Sequence, residues 1–502
     1  MTDTISSDDG LQSPPPAPTP RREPFGPAAR TAALATAALL VAVGGVVTAA
    51  IRAASSSTTP DELVPASAFA YAQLDLDPGN TQTSALRTFL NHFPGSPSRS
   101  TAPLRDALLG AFMKDSSDPH VDYTKDVKPW LGDKAAVAGW LDSSGHPQVE
   151  YLLQSTNDAA ARKSLHQAVP QAGLDFRDGY AILASSQPVA DAAVTSSRRA
   201  SLGHDATYRA DVGALGGGQI VLGWADAHGI VTALQTVPQF RQLLSFPGAS
   251  SLGLSELKTT KGRVVVGAHA ADNYVEVDVR QKGLSTSSTA KSTTSALLTG
   301  LPSGTLAAAE IGDPGGIVTR AISALRTLMP TSSNGSPGSD PLVAVQHATG
   351  LSLPGDATTV FGSGLVVSYG GLVGGLPNIG VRSKPADLAA AEQVAHRVSS
   401  VLQSHAGPPL AVSSAGGDLV VATSPDYADA IAHRSGLGND ARFKTALGAM
   451  PGNVTFAAYV DLGDILPLFV HGNAVAEHFD SVGMWASHNG DVDLLQVRLV
   501  AR

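Results

Sequence analysis

Between Thr31 and Ile51 the chain reads TAALATAALLVAVGGVVTAAI, an apolar run of about 21 residues without a charge. At 1.5 Å per residue a helix of that length matches a hydrocarbon core of about 30 Å. Arg21, Arg22 and Arg30 precede the run, and only Arg52 follows it closely. That bias puts the N-terminus in the cytoplasm and the larger C-terminal part outside. Residues 1–30, with PPPAPTP among them, have too little apolar content to order themselves and read as a disordered cytoplasmic tail. A leader this long does not suit a cleaved signal peptide, so residues 31–51 are expected to be an uncleaved transmembrane helix.

After residue 60 the patterning changes to short segments. AAVAGWLD and VEYLLQST flank the polar turn SSGH, as in an antiparallel hairpin. Asn157-Asp158 opens a helix with Ala161, Leu165 and Val169 on one face. RDGYAILASS returns as a strand, and a further helix starts near Pro188. GLVVSYG, LPNIGVRS, PADLAAAEQVAHRVSSVL, GDLVVATS and SPDYADAIA repeat that order later in the chain. The predicted fold is α+β, two tandem repeats of antiparallel sheet with helices packed on one face, preceded by one transmembrane helix.

The halves also align in sequence, as diverged copies. Ser201 to Ile230 aligns without a gap on Gly436 to Ile465, keeping Leu202/Leu437, Gly203/Gly438, Asp205/Asp440, Gly213/Gly448 and Asp226/Asp461 in one register. The repeats are expected at residues 61–294 and 295–502, joined by the Ser/Thr-rich STSSTAKSTTS. A strand that runs into Asp recurs four times, as in FAYAQLDLDP (Phe69 to Pro78) and FAAYVDLGD (Phe456 to Asp464). In Asp77-Pro78 and Asp313-Pro314 the Asp is expected to cap a helix with Pro in its first turn, a simpler reading than a cation site.

The charge balance narrows the partners. With 34 Lys and Arg against 43 Asp and Glu, 5% aromatic residues and no basic run, the chain lacks the footprint of a nucleic-acid binder. The absence of Cys excludes disulfides, thiolate metal sites and cysteine nucleophiles.

Catalytic patterns are equally scarce. None of the 14 histidines, among them His146 and His488, forms HExxH or HxH, and no GxSxG, GxxxxGK[ST] or GxGxxG occurs. Ser255/Lys258 and Ser288/Lys291 fit SxxK without a following KTG. The glycines from Tyr369 to Gly380 read as a turn between strands, Trp140 and Trp224 as core, and Asn334 and Asn453 as bare N-x-[ST] matches. No catalytic, cofactor-binding or metal residue is assigned, and no cofactor is expected.

LVPASAFAYAQLDLDP after the anchor, the pair LGHDATY and LGNDARF, and the closing PGNVTFAAYVDL together resemble the actinobacterial domain of unknown function 3352 family. The resemblance spans nearly all of the chain outside the apolar run. It implies a single-pass membrane protein with a duplicated ectodomain and brings no activity or functional residues. The expected function is a non-enzymatic, membrane-anchored binding or scaffold protein of the bacterial cell envelope, with envelope proteins, a wall polymer or a lipid as partners. The alternative is an envelope hydrolase or small-ligand carrier with its site between the two repeats.

Overall fold

The computed structural model describes residues 58–75, 79–94, 96, 122–236, 261–284, 296–319, 346–347, 349–405, 407–433, 436–470 and 475–502. The expected tail, anchor and repeat linker, together with Asp77, both SxxK pairs and Asn334, lie outside them. Among the described residues no helix is long and apolar enough to cross a membrane.

In the first half the strands are β1 (Ala68–Asp75), β2 (Leu131–Leu141), β3 (Pro147–Ser155), β4 (Gly173–Arg177), β5 (Tyr180–Ala184), β6 (Val221–Asp226), β7 (Arg263–Ala270) and β8 (Tyr274–Lys282). The second half supplies β9 (Ala307–Gly312), β10 (Gly364–Val373), β11 (Leu376–Ser383), β12 (Ala411–Ala415), β13 (Asp418–Ala422), β14 (Val454–Asp461), β15 (Phe479–Asn489) and β16 (Val492–Ala501). All sixteen form one sheet in the order β12-β13-β11-β10-β9-β14-β15-β16-β8-β7-β6-β1-β2-β3-β5-β4, with antiparallel neighbours throughout. Read from either edge to the centre, the list visits corresponding strands in the same sequence. The halves meet at β8 and β16, paired from Val492↔Lys282 to Val500↔Tyr274.

The helices are α1 (Asn80–Asn91), α2 (Asp158–Ala168), α3 (Gln187–Arg199), α4 (Ala206–Gly213), α5 (Ala227–Gln235), α6 (Ala296–Thr299), α7 (Gly355–Phe361), α8 (Leu388–Ser404), α9 (Pro425–Ala432), α10 (Ala441–Leu447) and α11 (Leu462–Phe469). They occupy both faces of the sheet, which corrects the one-face expectation. Ala193 and Val194 of α3 pack in one core with Leu152 and Ile182. Ala161 and Leu165 of α2 pack in another with Ala181 and Leu183, which point the opposite way along the same strand. In the second half α9 meets Val420 and Ala422, whereas α8 meets Leu419. The physical reason is visible in β5, where all five residues of YAILA are buried, as a strand covered on both sides requires.

Two of the recurrent strand-ending aspartates, Asp226 and Asp461, cap helices as expected. Asp226 accepts from the N–H groups of His228 and Gly229 at α5, and Asp461 from that of Asp464 at α11. Asp205 and Asp440 cap α4 and α10 in the two LGxDAxF-type elements. Behind those caps the buried Tyr208 stacks edge-on against Trp224 at 5.6 Å, and Phe443 against Tyr459 at 5.3 Å. The four tryptophans, Trp130, Trp140, Trp224 and Trp485, are all buried and form no exposed platform.

Candidate functional site

The polar side chains that converge most densely sit at the seam where β8 meets β16. Alternation along β7 and β8 carries His269, Glu276 and Asp278 to one face, because His269 pairs with Glu276 and Gly267 with Asp278. Across the seam Glu276 lies opposite Arg498 and Asp278 opposite Gln496. Arg498 donates from Nε to Glu276 at 2.6 Å, its Nη2 also contacts that carboxylate, and its Nη1 donates to the Thr445 carbonyl at 2.9 Å. The guanidinium also lies 4.1 Å from the centroid of the Tyr274 ring. Gln496 donates to Asp278 at 3.3 Å and accepts from Trp485 Nε1 at 2.7 Å.

His269 closes the array, with Nε2 3.3 Å from Glu276 and Nδ1 3.9 Å from Asp278. The ligand atoms of this trio lie within 4.8 Å of one another, a spacing that could hold a divalent cation. Arg498 already neutralises the buried Glu276, so the arrangement is a charge network joining the halves rather than an open cation cage. No HxH spacing advertises it, because hairpin register brings the three together. The means of finding it was the alternation in AHAADNYVEVDV read as a hairpin.

Other histidines are placed differently. His146 stands 3.7 Å from Asp142 in the exposed β2–β3 turn, and His488 Nδ1 lies 2.6 Å from Asp493 at the β15–β16 turn. Asn453 donates to the His488 carbonyl at 2.7 Å.

A second polar feature lies inside the first half. Glu150 of β3 is fully buried, and neither carboxylate oxygen has a hydrogen-bond partner among the described residues. Burial alone pushes its carboxyl up to about 8. The same desolvation raises the Tyr71 hydroxyl well above its ordinary value, with Tyr208 and Asp61 adding to the effect. In the second half the corresponding register position is Gly380, since Glu150 pairs with Ala184 and Gly380 with Ala422. A Cβ at Gly380 would run into the Ile431 side chain and meet the Tyr427 ring at 3.0 Å, so the volume that Glu150 occupies in one half belongs to two apolar side chains of α9 in the other.

The β10–β11 hairpin, the predicted turn between strands, presents Leu372, Val373 and Leu376 at 55%, 59% and 65% exposure. A recess of about 270 Å³ lies away from the seam, beside the C-terminal end of α3.

No family model matches the chain, and no curated protein matches it. Among solved structures, one described as crystal form I of TP0453 aligns with 46% of this chain and 80% of that one, at 9% identity and a TM-score of 0.21. A likeness that slight carries no argument about fold or function.

Proposed function

We propose that the protein is a membrane-anchored binding or scaffold protein that displays a duplicated α+β ectodomain on the outer side of a bacterial cell membrane. Residues 31–51 are the anchor and residues 1–30 its cytoplasmic tail. The ectodomain arose by duplication of a unit of eight strands, with repeats at 61–294 and 295–502, in keeping with its similarity to the domain of unknown function 3352 family.

The observation that carries the reading is the continuous sixteen-stranded sheet. Its centre is closed by a network built on the Arg498–Glu276 ion pair, and among the described residues its three most exposed large apolar side chains lie at the β10–β11 tip. An enzyme or carrier working between the repeats needs a deep cavity at the seam. Among the described residues the middle of the seam is instead filled by Arg498, Glu276, Gln496 and Trp485, and the recess at its Val492 end is small, about 120 Å³. A long rigid platform with an unpaired apolar tip suits recognition of another envelope component.

The test is crosslinking and affinity purification of the full-length chain from its native membrane, with a chain lacking residues 61–502 as control. A protein, lipid or glycan captured by the full chain and lost with Leu372→Ser/Leu376→Ser supports the reading. Recovery of the same material from both chains, or no loss in the double variant, contradicts it.

A further inference from the structure

We infer that the recess beside α3 is a binding site for a phosphate group. Arg177, at the end of β4, and Arg198 and Arg199, in the last turn of α3, all line it. Three arginines against two carboxylates, Glu62 and Asp178, along one small recess stand out in a chain whose formal net charge is −9. Planar, permanently charged forks of N–H donors are the side chains best matched to phosphate oxygens.

The recess is built rather than incidental. Arg177 donates to the Ser197 hydroxyl at 2.9 Å, and Ser201 is 2.8 Å from the His204 ring; both serines are buried and both line the cavity. Arg177 also pairs with Asp178 at 3.1 Å, but that carboxylate is half exposed and leaves most of the guanidinium's donors available. Arg198 and Arg199 are exposed and have no ion-pair partner among the described residues. Glu62 lines the recess too and favours a ligand that carries an amine or hydroxyl beside its phosphate.

The plain alternative is that basic residues merely offset the dipole at the end of a helix. It accounts for Arg198 and Arg199 but not for Arg177, which comes from a different element. The second half shows what the architecture needs without a ligand. There Ala415 holds the register position of Arg177, since Ala415 pairs with Asp418 as Arg177 does with Tyr180. Gly436 replaces Ser201 in the bridge to the segment before the first strand, Pro302↔Gly436 against Pro65↔Ser201. The same turn and bridge close without the arginine and the serine.

The phosphate's source is a lipid headgroup or a soluble phosphate compound. Thr58 lines the recess, and the proposed anchor ends seven residues earlier (58 − 51) at Ile51. Seven extended residues span at most about 25 Å, so the membrane surface is within reach. The lipid source rests on the anchored reading of the preceding subsection, whereas the phosphate chemistry does not.

The test uses the full-length chain in dodecyl maltoside micelles. Inorganic phosphate is titrated by calorimetry, and retention of phosphatidylglycerol is compared with that of diacylglycerol by native mass spectrometry. Saturable phosphate binding is expected, weakened about tenfold or more in Arg198→Gln/Arg199→Gln and again in Arg177→Gln. Circular dichroism melts confirm that the variants are folded. Selective phosphatidylglycerol retention, lost in the same variants, identifies the lipid source. Phosphate binding without lipid selectivity identifies a soluble one and leaves the anchor, tested separately by labelling, untouched. Binding of neither probe, or binding indifferent to all three arginines, overturns the inference.

Discussion

Arg498, four residues from the end of the chain, donates from Nε to Glu276 at 2.6 Å, so an ion pair spanning 222 residues of sequence lies on the line where the two halves of the sheet meet. Both side chains are largely buried, at 13% and 7% exposure. Removing one partner leaves the other charge without compensation, a loss on the order of 3 kcal/mol. Arg498→Met and Glu276→Leu are therefore each expected to lower the denaturation midpoint sharply, and Arg498→Met/Glu276→Leu to recover much of it. Urea titrations of the four chains measure the coupling. A single variant as stable as the parent would show that the pair does not hold the seam.

Glu150 predicts an unusual pH dependence. Its carboxyl is raised from about 4.5 to about 8 by burial, so the folded chain holds a proton that the unfolded chain has released. That contribution is complete below pH 4.5 and declines at up to about 1.4 kcal/mol per pH unit as the pH rises to 8. Glu150→Gln removes the titration while keeping the shape. The stability difference between variant and parent should grow in the variant's favour from pH 5 to pH 8. A constant difference across that range would mean that Glu150 is ionised and partnered in the fold.

The capping aspartates give a third expectation. Asp226→Ala removes an acceptor for two free N–H groups at the start of α5 and should cost about 1 kcal/mol, with Asp226→Asn recovering most of it. Asp461→Ala should cost more, because Asp461 also accepts from Arg442 at 2.9 Å. Thermal melts with and without added calcium distinguish capping from ion binding. A calcium-dependent shift in the parent that both alanine variants lose would contradict the capping role.

Much of the architecture was legible in local pattern. The β2–β3 hairpin and the Asn157 cap follow from alternation and turn residues, and of the glycine run from Tyr369 to Gly380 read as a turn only Gly374-Gly375 turns, the rest lying in β10 and β11. The edge strands β4 and β12 were not read, because five-residue segments such as GLDFR and AVSSA carry almost no alternation. Burial on both faces was visible in YAILA and DLVVA, continuous apolar runs that half-buried strands do not show, yet hairpin-length links favoured the one-sided reading. The seam was beyond local pattern altogether. Glu276 and Arg498 meet only because the last strands of the two halves pair, and nothing near either residue encodes that partner.

The direction in which the anchor places the sheet is the central claim, and the lack of any Cys in the chain makes it directly measurable. Ser143 is exposed at the β2–β3 turn, and Ser6 lies in the proposed cytoplasmic tail. Ser143→Cys and Ser6→Cys would each carry one thiol for a membrane-impermeant maleimide. Labelling of Ser143→Cys in intact cells, with Ser6→Cys labelled only after lysis, is the predicted result. Ser6→Cys labelled in intact cells and Ser143→Cys protected until lysis would contradict an extracytoplasmic binding protein.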